Sequence, residues 1–193
     1  MNKNLTIPNI LTVFRILLTP VFVIFFLDKE YAWSLGVFFL AGFTDGLDGF
    51  IARFFRQKSK LGVLLDPLAD KVLLITTYVC LGIARWVPGW LAVLVVSRDL
   101  LILGGVGLLS FLGFAIKDNI RPSFVSKVNT LLQILLVVLI LGAKSSFWVL
   151  KIELGYFYAL VGLFTLLSGI NYVFQGINYL SLVNNNSKNE YNR

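Results

Sequence analysis

The chain has 193 residues, 58% of them hydrophobic and 14% charged, with a mean hydropathy of +0.83, which excludes an ordinary soluble domain and points to an integral membrane protein. The net charge of +7 does not imply nucleic acid, because the lysines and arginines are spread by loop and not gathered in one patch. No histidine is present, so a general base must be a carboxylate, a lysine, a tyrosine or water, and the single cysteine, Cys80, permits no intrachain disulfide.

Apolar runs near the twenty residues needed to cross a bilayer recur at about 8–27, 31–52, 62–84, 88–112, 124–143 and 153–182. They predict an all-α membrane domain of six transmembrane helices over 1–183, followed by a disordered, Asn-rich polar tail at 184–193. If the helices alternate, Lys3, Arg53, Arg56, Lys58, Lys60, Lys117, Arg121, Lys127, Lys188 and Arg193 share one side, against Lys29, Arg85, Lys144 and Lys151 on the other. The positive-inside rule then places both termini and the segment 53–60 in the cytoplasm, as in a bacterial-type inner or cell membrane. The first run is long and interrupted by polar residues, unlike a cleavable signal peptide.

In the first run, Pro8 suits a first helical turn, Asn9 or Thr12 can cap or contact a ligand, and Arg15 needs a buried partner or an anionic lipid headgroup. Asp28-Lys29-Glu30 reads as a solvated outer turn, and Gly36 and Gly42 in the second run read as close-packing positions. That run ends in Asp45, Asp48, Gly49, Ala52 and Arg53, at offsets of 3, 4, 7 and 8, so two carboxylates, two small residues and an arginine share one helical face. A short basic segment follows. The third run then opens with Gly62, Asp66 and Asp70, spaced by four along one face, and Lys71 reads either as neutralising part of the acidic cluster or as snorkelling to the interface, the second being favoured.

Trp86, Pro88, Gly89 and Trp90 form an outer turn typical of an aromatic belt. In mid-run, Arg98 and Asp99 must be paired, and because neighbours on a helix diverge by about 100°, partners on other helices are expected. Their role is either an interhelical salt bridge or the lining of a site. Lys127, Thr130 and Gln133, spaced by three, are expected to face a common polar cavity, whereas the last run carries little chemistry beyond packing and anchoring tyrosines.

Four carboxylates at a membrane surface repel one another unless they are protonated or hold cations. Hard oxygen donors without Cys or His favour magnesium or manganese, and a pair of such ions about 3.5–4 Å apart is a recurring clamp for displacement at phosphorus. Gly49 and Ala52 would let a phosphate approach the backbone, with Arg53 as a bidentate contact.

Asp45-Gly46-Leu47-Asp48-Gly49-Phe50-Ile51-Ala52-Arg53, then eight residues, then Gly62-Val63-Leu64-Leu65-Asp66-Pro67-Leu68-Ala69-Asp70, resembles the motif of the CDP-alcohol phosphatidyltransferases at every fixed position. The resemblance implies six transmembrane helices, cytoplasmic termini, a homodimer, and transfer of a phosphatidyl group from CDP-diacylglycerol to an alcohol with release of CMP. It implies that Asp45, Asp48, Asp66 and Asp70 ligate two magnesium ions and that Asp70 is the base. Gly49, Arg53 and Ser59 would contact the CDP group, with Pro8, Asn9 and Thr12 near the nucleotide.

The acceptor is written elsewhere. Ser97-Arg98-Asp99 and Ser126-Lys127-Val128-Asn129-Thr130 resemble the glycerol-phosphate branch of the family. Arg98, Arg121 and Lys127 as phosphate ligands favour sn-glycerol 3-phosphate, giving phosphatidylglycerophosphate. Against this, phosphatidylglycerophosphate synthases usually have Arg-Glu where this chain has Arg98-Asp99, and Gly104-Gly105-Val106 stands where a further arginine is frequent. The alternative is a cardiolipin synthase, with phosphatidylglycerol as acceptor. A more distant reading is an intramembrane cation transporter with the four acids as its path.

Overall fold

The computed structural model describes the backbone of residues 7–54, 62–111, 124–147 and 154–191, and the side chains of 11–44, 69, 71–105, 107, 124–147 and 154–177. The described residues form six helices and no strand: α1 (Ile7–Leu27), α2 (Tyr31–Phe54), α3 (Gly62–Ile83), α4 (Gly89–Phe111), α5 (Phe124–Lys144) and α6 (Gly155–Tyr191). The apolar runs therefore locate most helix ends to within one or two residues. α6 carries on through 184–191, the polar stretch expected to lack structure, although the side chains beyond 177 lie outside the described residues.

The helices close into a ring. α1 packs on α2 and α3, α3 on α4, α4 on α6, α6 on α5, and α5 on α2, while α3 also touches α2 and α5 across the middle. Phe22, Phe38, Leu74, Tyr78, Leu81, Leu91, Val95, Leu136 and Leu141 fill the apolar centre.

The odd-numbered helices end alike. Lys29, Arg85 and Ser146 adopt left-handed backbone (φ 63°, 58° and 62°), and Glu30, Trp86 and Phe147 each donate their amide N–H to a carbonyl five residues back, on Phe25, Leu81 and Gly142. This is the Schellman stop, built here without glycine. At the same end Trp86 stacks its edge on Tyr31 (4.7 Å between centroids) and packs on Phe26 (5.3 Å), with the Lys144 ammonium 4.8 Å above its ring. The Tyr158 hydroxyl donates to its carbonyl at 2.9 Å. Trp86 is thus a packing hub, while Trp33 and Trp90 supply the exposed belt.

Polarity is distributed inside out. Leu17, Leu27, Phe43, Ile83, Val93, Leu101, Leu131 and Phe174 are among the large apolar side chains on the outer surface, whereas Thr12, Arg15, Thr77, Arg98, Asp99, Asn129, Gln133 and Ser168 are buried. Water would penalise such a surface, and lipid rewards it. Phe124–Lys144 and Gly155–Ile177 are long and apolar enough to cross a membrane, and Leu11–Leu27, Tyr31–Thr44 and Lys71–Ile83 are shorter apolar stretches. The described residues form a helical bundle with an apolar outer surface and a polar interior.

Glycines sit differently from expectation. A Cβ added at Gly36 or Gly42 meets nothing within 4 Å, so these two are not close-packing positions. The close approaches are at Gly82, where a Cβ would lie 2.9 Å from the Ala92 Cβ, and at Gly162, where it would lie 2.7 Å from the Trp90 ring.

Candidate functional site

The carboxylate-bearing segments occupy neighbouring positions in the chain's helical frame. Asp45, Asp48, Gly49 and Arg53 belong to the last turns of α2, and Asp66 and Asp70 to the first turns of α3. On a helical backbone, spacings of three and four put each Asp pair one turn apart on one face. The side chains of these four aspartates, and those of Pro8, Asn9, Gly49 and Arg53, lie outside the described residues, as do Ser59 and Arg121 altogether. Among the described residues no group of three or more His, Cys, Asp or Glu gathers.

Several described polar and charged side chains of α1, α3 and α4 point into the bundle. Thr12 is fully buried and Arg15 is 1% exposed, one turn further along α1. Lys71, adjacent to Asp70 on α3, reaches α4 and places Nζ 2.9 Å from Asp99 Oδ1. Lys71 therefore holds a specific partner and does not merely snorkel. The same Oδ1 accepts Arg98 Nη1 at 2.6 Å, and Arg98 Nη2 donates to the hydroxyls of Ser126 on α5 and Ser168 on α6. One carboxylate serves two cations, and the cluster ties α3, α4, α5 and α6 together.

This arrangement corrects one expectation. Arg98 and Asp99 do bond one another, because a long guanidinium swings round the helix far enough to meet the neighbouring carboxylate, and both also find partners on other helices. Arg98, expected as an acceptor ligand, is 4% exposed and has both terminal nitrogens engaged inside the bundle.

A second polar layer lies along α5 and α6. Thr165 donates to Asn129 Oδ1 (2.9 Å), Gln133 Nε2 lies 3.4 Å from the Thr165 hydroxyl, and the Tyr78 hydroxyl donates to the Gln133 carbonyl (3.2 Å). Lys127, expected in a common cavity with Thr130 and Gln133, is exposed instead. The reason is angular: six residues rotate a helix face by about 120°, so Lys127 and Gln133 diverge, whereas Asn129 and Gln133, four apart, coincide. Thr165 and Ser168 were not singled out from the sequence. Their three-residue spacing on a polar stripe of an otherwise apolar helix was the available signal.

Beside the Lys71 end of this cluster a cavity of about 390 Å³ opens among α1, α2, α3 and α5, and among the described residues Arg15, Lys71 and Thr130 give it polar lining and Phe38, Leu73, Leu74 and Ile134 apolar walls.

The described residues form a bundle with an apolar outer surface and a polar interior, and the sequence places paired acids at two helix ends. The profile of the CDP-alcohol phosphatidyltransferase family matches residues 5–168, and the chain belongs to that family. It is 41% identical to "Cardiolipin synthase (CMP-forming)" of Rattus norvegicus and 40% to that of Homo sapiens, each over 152 residues, 72% of this chain and 50% of the relative. It is 33% identical to "Cardiolipin synthase (CMP-forming)" of Streptomyces coelicolor over 167 residues, 83% of this chain and 76% of the relative. The chain spans about half the length of the rat and human relatives it matches.

Proposed function

We propose that this protein is a CMP-forming cardiolipin synthase, transferring the phosphatidyl group of CDP-diacylglycerol to phosphatidylglycerol. The hydroxyl oxygen of the acceptor headgroup bonds to the lipid-side phosphorus of the donor, the bond from that phosphorus to the bridging oxygen breaks, and CMP leaves. Asp70 takes the hydroxyl proton. Asp45, Asp48, Asp66 and Asp70 hold two magnesium ions, for which an all-carboxylate set without histidine is the fitting donor chemistry, and the ions when bound neutralise charge on the phosphate oxygens. Pro8, Asn9, Thr12, Gly49, Arg53 and Ser59 contact the donor's nucleotide end. All six helices span the membrane with both termini in the cytoplasm, and the enzyme works as a homodimer.

The observation that carries the choice of acceptor is the state of Arg98. Glycerol 3-phosphate brings a dianionic phosphate that needs free cations. Of Arg98, Arg121 and Lys127, read from the sequence as its ligands, Arg98 is engaged by Asp99, Ser126 and Ser168 and Lys127 is exposed, while Arg121 lies outside the described residues. The relatives named as cardiolipin synthases support the same reading. The preference for glycerol 3-phosphate drawn from the sequence gives way to the alternative.

The test is CMP release by the purified protein with CDP-diacylglycerol and magnesium, offering phosphatidylglycerol and glycerol 3-phosphate separately. Release with phosphatidylglycerol alone is expected. Release with glycerol 3-phosphate alone overturns the assignment.

A further inference from the structure

We propose that Asp99 of α4 is a positioning residue for the metal site at the ends of α2 and α3: it holds the Lys71 ammonium and so limits how strongly that cation competes with divalent ions for the neighbouring carboxylates. This inference rests on the proposed reading of Asp45, Asp48, Asp66 and Asp70 as metal ligands.

α3 carries a conflict of charge in its own sequence. Lys71 follows Asp70 directly, so their Cα atoms are about 3.8 Å apart, and a lysine stem is long and flexible enough to turn its ammonium toward either end of its helix. An ammonium beside a set of carboxylates satisfies part of the charge that a divalent ion would otherwise satisfy, and it repels the ion itself. Every anion that holds Lys71 elsewhere relieves the metal site of that competitor. Lys71 has interactions beyond Asp99, and what matters is the share of the ammonium that Asp99 claims.

Asp99 is placed to claim a large share. It has no exposed surface, and its Oδ1 lies 2.9 Å from Lys71 Nζ, in an interior where little solvent screens the attraction. The carboxylate is itself held still. Arg98 Nη1 bonds the same oxygen at 2.6 Å, and Arg98 Nη2 donates to the hydroxyls of Ser126 on α5 and Ser168 on α6. Asp99 therefore stands on a frame of three helices, and Lys71 has to come to it.

A plain tie between α3 and α4 does not require this arrangement. Arg98 already gives Asp99 a counter-charge from its own helix, so the carboxylate does not depend on Lys71 for one. Asp99 Oδ2 accepts no hydrogen bond among the described residues, on a carboxylate that can accept about four, so Lys71 is taken up without displacing Arg98. The beneficiary of the Lys71 contact is then the acid set next to Lys71.

Metal binding is measured directly, by electron paramagnetic resonance titration of manganese(II) into the purified protein in phosphatidylcholine nanodiscs with no substrate present. The variants are Asp99→Asn, Asp99→Glu, Lys71→Gln and the double variant of Lys71→Gln with Asp99→Asn, and Asp70→Asn gives the background from lipid-bound metal. A dissociation constant does not depend on the folded fraction, so lower stability in Asp99→Asn does not imitate a shift.

Asp99→Asn is expected to weaken manganese binding about fivefold or more, with Asp99→Glu near wild type and Lys71→Gln tighter than wild type by about twofold or more. Once Lys71 is gone, Asp99→Asn is expected to add no weakening. That last comparison separates the proposal from a purely structural role or a direct field of Asp99, either of which acts in both backgrounds. An unchanged constant in Asp99→Asn overturns the proposal, as does equal weakening with and without Lys71. Lys71→Gln keeps Asp99 paired with Arg98 and decides alone where Asp99→Asn fails to fold: binding no tighter than wild type overturns the proposal. Wild type that binds manganese no better than Asp70→Asn overturns the metal reading itself, and that failure shows before any α4 variant is made.

Discussion

Lys71 on α3 and Asp99 on α4 meet at 2.9 Å in the interior of the bundle, and Asp99 has no exposed surface at all. Because Arg98 shares the same oxygen, neutralising this carboxylate removes a counter-charge that two cations share. Asp99→Asn is therefore expected to lower stability by about 3–5 kcal/mol. Thermal unfolding of the purified protein in nanodiscs measures it, and an unchanged midpoint means that Asp99 is not the counter-charge described.

The four aspartates at the ends of α2 and α3 predict the opposite pattern. Asp70→Asn is expected to reduce CMP release by about 10²–10⁴-fold while leaving the unfolding midpoint at or above wild type, since relieving repulsion among acids does not destabilise. Chelation of divalent ions should abolish turnover, with magnesium or manganese restoring it. Activity that persists in EDTA would count against a carboxylate-held metal pair.

Glycine positions separate packing from open surface. Gly82→Leu pushes against the Ala92 Cβ, which is fixed to its backbone, so α3 and α4 must part; a loss of about 1–3 kcal/mol is expected. Gly36→Leu meets open space and adds helix propensity, a gain of up to about 1 kcal/mol. Parallel melts of the two variants check the contrast, and equal shifts would contradict it.

The left-handed residue at the end of α1 offers a gain in stability. Lys29 holds φ 63° with a side chain that disfavours it, and Lys29→Gly should stabilise by about 1 kcal/mol. Chemical denaturation read by tryptophan fluorescence resolves a change of that size.

The helices were legible in the sequence because a lipid-spanning run is defined by composition over about twenty residues, a signal that neighbouring context cannot hide. Asp45, Asp48, Asp66 and Asp70 stand out in the sequence because they adjoin hydrophobic runs at helical spacings of three and four; their side chains lie outside the described residues. What escaped was whatever depends on which helix faces which. That Asp99 would choose Lys71, that Ser168 would complete Arg98, and that Gly82 but not Gly36 would touch a neighbour all follow from the ring order of the helices, which no local pattern encodes. Lys127 failed for a geometric reason, since steps of three wander off a helix face while alternating steps of three and four stay on it.

The contact between Arg98 and Ser168 also sets a chronology. The chain emerges from its N-terminus, and the 70 residues separating these partners take on the order of ten seconds to synthesise. Throughout that interval α4 carries a guanidinium whose last hydroxyl partner has not yet been made. A newborn α4 thus has reason to linger beside the insertion machinery, or against α3, until α6 arrives. Arg98 gains its full set of described partners only once α6 is in place.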